Sequence, residues 1–271
     1  MTATETPDHP PAAPPRRTLT AALVIVAALV ALAGVGVWWF LRDDSPDEVS
    51  LDAAVESVDD DGGEGGTANG ETADGDAAAD VDAALVGDLS GVWTVDIDTG
   101  SFDYQTASGS FVGFRIEEEL RTIGATTAVG RTNAIIGSMT IDGTTVTETT
   151  IEIDLTAITT ETSMRDDNVQ DALETDQFPT ATFVLTEPIE LGDSAASGES
   201  VATTATGDLT IHGVTQSVTF AMEAQLVDST VVAVGSSDVT FADFGVEVPS
   251  GGPVLSVDDF GVLEMQLLLT R

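Results

Sequence analysis

Residues 205–226, ATGDLTIHGVTQSVTFAMEAQL, carry the clearest folding signal in the chain. Apolar and polar residues alternate on both sides of His212-Gly213, from Leu209 to Ile211 and from Val218 to Leu226. A period of two places the apolar side chains of a strand on one face. Gly213 supplies the positive φ that a tight reversal needs, so the segment predicts a β-hairpin. Its apolar face must be buried, either against other side chains alone or against a ligand as well.

The composition excludes several classes of function. The 271 residues include 47 Asp and Glu against 8 basic residues, all of them Arg, for a formal net charge of −39. Such a charge repels the phosphates of nucleic acids and of anionic membrane surfaces, so neither is an expected partner of the soluble part. The absence of Cys excludes disulfides, thiolate nucleophiles and Cys-based metal sites.

The N-terminal region predicts a membrane anchor. Residues 1–18 are typical of a disordered tail, and Leu19–Leu41 follow as an uncharged apolar run. As a helix this run is roughly 35 Å long, enough to cross a bilayer. Arg16-Arg17 before it and the aromatic residues 38–40 at its far end predict a single-pass protein of the cell membrane, with the tail in the cytoplasm and the rest outside.

A cleaved signal peptide is the alternative for this region. Ala31-Leu32-Ala33 has the small-x-small form of a cleavage site, but the apolar run continues beyond it, unlike an h-region that ends at its site. Both interpretations export the remainder of the chain.

Residues 42–88 differ completely in composition from the anchor. This stretch is rich in Asp, Glu, Gly and Ala and contains no aromatic residue. Because it lacks the apolar area that would offset chain entropy, the sequence predicts a disordered, self-repelling acidic linker. Its Asp-Gly pairs do not have the EF-hand spacing, so no calcium site is predicted.

Residues 89–271 predict a β-rich domain. Period-two segments bounded by Gly, Asp or Pro recur, and antiparallel strands in such number must close or stack to remove their edges. Ser163–Asp176 breaks the pattern and predicts a short helix, with Ser163 as its cap and Met164, Val169 and Leu173 on its buried side. The predicted strands are Val92–Ile97, Phe111–Leu120, Ala134–Ile141, Thr145–Leu155, Thr180–Leu185, the two strands of the hairpin, Val231–Phe241 and Val262–Leu269.

An ordered set of motifs in this domain resembles the YceI-like family. The set is WTVD at 93–96, MRDD at 164–167, FPTATF at 178–183 and GDLTIHGVT at 207–215. The resemblance covers about 91–271. It implies an all-β, eight-stranded, antiparallel, lipocalin-like barrel with short helical segments, which holds an isoprenoid chain or a similar amphiphile in an elongated apolar cavity.

The sequence departs from the family pattern in two respects. Family members often carry S-x-V-x-F-x-V-x-H in the early strands, whereas 110–116 is SFVGFRI, without His. Many members are free periplasmic or secreted proteins, whereas this chain carries a predicted anchor. The first departure affects the contacts to the head group of a ligand.

Few residues suggest chemistry. His9 lies in the predicted tail and His212 at a hairpin turn, where an exposed turn residue is the expected role, so neither a catalytic triad nor a metal centre is predicted. Arg165 has two interpretations: an ion pair with an acid at the helix start, or a contact to a ligand head group. The sequence therefore predicts a protein that is not an enzyme and has no cofactor.

The apolar strand faces permit two functions. Eight strands can be packed solid or can hold one small ligand, and periodicity does not distinguish the two. The family resemblance favours a cavity, and hence an extracytoplasmic, membrane-tethered protein that sequesters a polyisoprenoid or isoprenoid quinone. The alternative is a structural or partner-binding surface domain with a filled barrel, and either version leaves a homodimer open. The predicted lining residues are Phe114, Ile116, Ile151, Ile153, Leu155, Phe183, Leu185, Leu209, Ile211, Val218, Phe220 and Met222.

Overall fold

The predicted hairpin is present and joins two long strands. The computed structural model describes residues 45–61, 88–121, 124–248 and 254–271. Val201–Ile211 and Val214–Val227 pair antiparallel in the register Ile211↔Val214. His212 and Gly213 between them both have positive φ, 53° and 71°, as the central residues of a type I′ turn do.

The strands of the described residues fall in one antiparallel sheet, and two α-helices accompany them. The helices are α1 (Leu51–Asp61) and α2 (Ser163–Ala172). The strands are β1 (Gly91–Asp96), β2 (Phe111–Leu120), β3 (Gly124–Thr132), β4 (Ile135–Asp142), β5 (Thr145–Asp154), β6 (Thr180–Leu185), β7 (Ile189–Glu190), β8 (Val201–Ile211), β9 (Val214–Val227), β10 (Thr230–Thr240), β11 (Val254–Val257) and β12 (Phe260–Thr270).

Eight of the described strands close into a barrel. Their order is β1-β4-β5-β6-β8-β9-β10-β12, and β1 pairs with β12 to complete the ring. The first half of β12 pairs with β2 and its last residues pair with β1, so β1 and β2 share one position in the wall. The predicted all-β, eight-stranded antiparallel barrel is confirmed.

The alternation in the sequence separates the inner and outer faces of the wall. On β5, Ile151 and Ile153 are buried inside while Glu152 is exposed. Phe183 and Phe220 meet inside the barrel with their rings edge to face, 5.5 Å apart. Trp93 is fully buried, and its indole N–H donates to Leu89 O at 2.9 Å.

Helix α2 differs in detail from its prediction. It begins at Ser163 and is preceded by Thr162 as N-cap, so Ser163 is not the cap. Val169 and Leu173 pack against the core as predicted, but Met164 is 70% exposed. Asp166 fixes the entry to the helix by accepting hydrogen bonds from Thr160 N at 2.6 Å and Thr160 Oγ1 at 2.7 Å.

Helix α1 corrects the prediction of a disordered linker for residues 51–61. Leu51, Ala54, Val55 and Val58 follow the i, i+3, i+4, i+7 spacing of an amphipathic helix, which the acidic composition of the surrounding stretch obscures. The helix packs on the outer face of β9 and β10. Its buried contacts are Leu51 and Ala54 with Val232, Val234 and Leu268.

The other N-terminal predictions fall outside the part of the chain that the structure describes. These are the tail at 1–18, the apolar span at 19–41 and residues 42–44 and 62–87 of the linker. Within the described ranges, no helix has the length and apolar character needed to span a bilayer.

A buried charge cluster lies on the outer face of the barrel wall. Glu264 of β12 accepts hydrogen bonds from Arg115 Nε at 2.9 Å and from Arg131 Nε and Nη2 at 3.0 and 2.8 Å. The Nη2 groups of the two arginines also donate to the backbone of the segment before α1. Arg115 Nη2 donates to Pro46 O, and Arg131 Nη2 donates to Asp47 O. Each of the three charges therefore has partners, as burial requires.

We predict that Glu264→Gln lowers the free energy of unfolding by about 3–5 kcal/mol, because it leaves two buried guanidinium groups without a carboxylate. The matched control is Glu223→Gln on the exposed face of β9, for which we expect a change within about 0.5 kcal/mol. Urea denaturation of both variants measures the difference, and equal effects would contradict a stabilising role for the cluster.

Candidate ligand-binding site

The barrel encloses a cavity of about 410 Å³ with almost entirely apolar walls. This volume lies within the usual range of small-molecule sites, about 300–1,000 Å³. The cavity reaches the surface beside the first turn of α2, where Met164 both lines it and is largely exposed. The barrel is therefore not packed solid by its own side chains.

Eleven of the twelve predicted lining residues surround this cavity: Phe114, Ile116, Ile151, Ile153, Leu155, Phe183, Leu185, Leu209, Ile211, Phe220 and Met222. Val218 does not line it. Its side chain packs against the core beside a separate groove in the outer wall, because β9 separates from β10 at that end. A ligand contact by Val218 therefore stays a prediction, although the residue packs against the core.

Small residues opposite large ones shape the cavity. Gly207 of β8 lies beneath the ring of Phe183, and a Cβ at this position would lie 2.5 Å from that ring. Ala181, Ala205 and Ala233 are buried and line the cavity with little volume of their own. The space inside the barrel follows from these short side chains.

Sequence reasoning missed one whole wall of the cavity. Leu263, Met265, Leu267 and Leu269 of β12 line it. These residues alternate with polar or outward-facing ones within the predicted strand Val262–Leu269. The sequence therefore contained the signal for this wall, but no residue of the strand was predicted to line the cavity. Two other lining residues, Phe241 and Phe244, lie in a short 3₁₀ turn after β10, where strand alternation ends.

One ion pair lies in the cavity wall near its opening. Arg165 Nη2 contacts Glu118 Oε1 at 2.5 Å, and both residues line the cavity. The prediction of an acid at the helix start is only partly met, because Glu161 is 4.0 Å away and the close partner belongs to β2. A head-group contact by Arg165 stays a prediction.

Burial gives Glu118 an unusual protonation equilibrium. Loss of hydration raises the pKa of its carboxyl, and Glu161 nearby acts in the same direction. The charge and hydrogen bond of Arg165 lower the pKa but do not cancel the effect of burial. The cavity thus contains one polar position whose charge is costly to bury.

His212 lies outside the cavity and is not the exposed turn residue that the sequence suggested. Its ring packs edge to face on Phe178 at 4.8 Å. Nδ1 lies 3.3 Å from Phe244 O, and Nε2 lies 3.6 Å from Glu174 Oε2. These contacts fix the hairpin turn to neighbouring segments, which is a structural role. Among the described residues no group of three His, Asp or Glu side chains is placed to hold a metal ion.

Solved structures with a similar fold share little sequence with this chain. A polyisoprenoid-binding domain from Saccharophagus degradans is 17% identical, with a TM-score of 0.47 over 60% of this chain and 94% of its own. BcnA from Burkholderia cenocepacia is 20% identical, with a TM-score of 0.46 over 59% and 95%. The YceI protein of Campylobacter jejuni is 19% identical, with a TM-score of 0.44 over 52% and 84%.

The family of the chain follows from its sequence. Curated protein sequences give no match to the chain. The sequence profile of the YceI-like domain, in contrast, matches residues 50–267, which include α1 and most of β12. By this match over most of its length, the chain belongs to the YceI-like family.

Proposed function

We propose that the barrel binds an apolar lipid by enclosing its hydrocarbon chain, and that the ligand is a polyisoprenoid or an isoprenoid quinone. The observation that carries this proposal is the apolar cavity of about 410 Å³ inside a closed barrel. Each methylene transferred from water to such walls contributes about 0.8 kcal/mol, so a long chain binds tightly without any covalent chemistry. The conformational freedom that a flexible chain loses on binding limits the affinity.

The charges around the cavity favour a ligand with a neutral head group. Of the described residues that line it, Glu118, Glu264 and Arg165 are charged. Glu264 is paired with two arginines of the outer face, and Arg165 is paired with Glu118. A phosphate would therefore meet no free cation here. A quinone carbonyl or an alcohol needs only single hydrogen bonds, which Thr162 and Asn168 beside Arg165 can supply.

We propose a binding protein and not an enzyme. The described polar residues that line the cavity do not form a nucleophile with a base, and His212, which does not line it, contacts Glu174 Oε2 and the backbone oxygen of Phe244. Apolar walls and one neutralised ion pair suit the retention of an apolar molecule.

We also propose that the apolar run 19–41 anchors the protein in the cell membrane with the barrel outside. The length of the run, the arginine pair before it and the aromatic residues at its end support this topology. An anchored barrel would stay next to the bilayer that supplies its ligand. The anchor would therefore raise the effective concentration of the lipid at the barrel.

Occupancy of the cavity is directly testable. Native mass spectrometry and organic extraction of the purified full chain should recover a lipid with an isoprenoid chain. We expect Ala205→Leu, which fills the cavity from β8, to weaken binding of a long polyprenol at least about fivefold. Ala202→Leu on the exposed face of the same strand is the control. Extraction of no lipid, together with equal polyprenol binding by both variants, would favour a barrel without a ligand.

The buried carboxyl predicts a specific pH dependence of stability. Because its pKa is raised on folding, the stability that Glu118 contributes is fully present below its usual value of 4.5 and is lost as the pH rises through the folded value. We expect the unfolding free energy of the wild type, relative to Glu118→Gln, to decrease between about pH 4 and about pH 8. Denaturation series at each pH measure this difference, with exposed Glu119→Gln as control; a difference that increases with pH would contradict the assignment.

The same pair predicts which head group is accepted. Glu118→Gln leaves Arg165 without its carboxylate, so the variant should bind a polyprenyl phosphate about tenfold more tightly than the wild type does. Binding of the matching polyprenol should change little. Competition between the two lipids for wild type, Glu118→Gln and Glu119→Gln provides the test. A wild type that already prefers the phosphate would disprove the neutral-head proposal while leaving lipid binding intact.

A further inference from the structure

We propose that residues 45–61 form a strap that fixes the outer wall of the barrel to the N-terminal part of the chain. The acidic stretch after it is then a loop between two segments that both belong to the barrel domain, and not the tether that carries the domain. The binding of the strap stands on the structure alone. Its consequence at the membrane rests on the proposed anchor.

The first part of the strap is held by arginines that are already positioned. Glu264 binds the Nε sides of Arg115 and Arg131, which orients both guanidinium groups. Their remaining N–H groups donate to the backbone carbonyls of Pro46 and Asp47. The side chains of Arg131 and Glu264 are 4% and 1% exposed, so these hydrogen bonds lie in an environment where their loss is costly.

The second part of the strap covers an apolar patch. Val232 and Leu268 are fully buried although they alternate with the residues that face the cavity, so they lie on the outer face of the wall. Leu51 and Ala54 of α1 pack against these two side chains. Ser57 Oγ adds a hydrogen bond to Ser108 O at 3.1 Å, which connects the helix to the loop between β1 and β2. Without the strap this patch would be exposed to water.

The strap changes the length of chain available between a membrane anchor and the barrel. A free linker over residues 42–88 would reach up to about 160 Å when extended. The predicted span ends at Leu41, and the first residue bound by an arginine is Pro46, five residues later. Fully extended, these five residues reach at most about 17 Å. The chain between the predicted span and the first clamped residue would then be much shorter than the free linker.

Cutting the acidic stretch distinguishes a strap from a tether. The experiment uses the full chain in membrane vesicles, with a protease site inserted between Asp74 and Gly75. After complete cleavage we expect the barrel fragment to sediment with the vesicles and, after detergent extraction, to co-elute with the N-terminal fragment. Ala54→Glu, which places a charge against Leu268, should release the barrel fragment after cleavage. Ala53→Glu on the exposed side of the same helix should not.

The outcomes separate this inference from the proposed function. Loss of the wild-type barrel fragment into the supernatant, or separation of the two fragments in detergent, would overturn the strap. An uncut chain that does not sediment would instead disprove the anchor, and co-elution of the fragments would still decide whether the strap binds. The lipid content of the barrel fragment bears on neither result.

Discussion

Closure of the sheet is the constraint on which the rest of the structure depends. Thr94, Val95 and Asp96 of β1 pair with the end of β12, and this short ladder joins the first strand to the last. Once the ring is closed, the alternate side chains of every strand must face a common interior. The diameter of an eight-stranded ring leaves room for large side chains or for a small ligand. In this chain buried alanines occupy several of the inner positions, and a cavity remains inside the ring.

The scarce arginines of this acidic chain mark the places where its parts are joined. Arg115 and Arg131 join β2 and β3 to Glu264 and to the strap. Arg165 joins α2 to β2 beside the cavity. Arg271 stacks on the ring of Trp93 at 4.5 Å and donates to Asp88 O, which fixes the chain entering β1 to its C-terminus.

Alternation in the sequence predicts the barrel and much of the cavity lining, whereas contacts between distant residues are not visible in it. The hairpin, the antiparallel barrel and eleven cavity-lining residues follow from alternation that any strand pairing preserves. The β3 strand was missed because GATTAVGRT has small residues on both faces. The partner of Arg165 was assigned to nearby acids, since Glu118, 47 residues earlier in the chain, becomes its neighbour only when β2 is placed in the ring. Helix α1 was missed for a similar reason. Its apolar side is stabilised only by packing on the outer wall of the barrel, and the local sequence does not show that this wall is nearby.

The two faces of β12 explain how a barrel can keep an open interior. Leu263, Met265, Leu267 and Leu269 line the cavity of about 410 Å³ on the inner face of the wall. Leu268, on the opposite face of the same strand, is fully buried because α1 covers it. Contacts on the outer face of the wall therefore replace part of the packing that a solid interior would provide. A bound hydrocarbon chain would add contacts on the inner face.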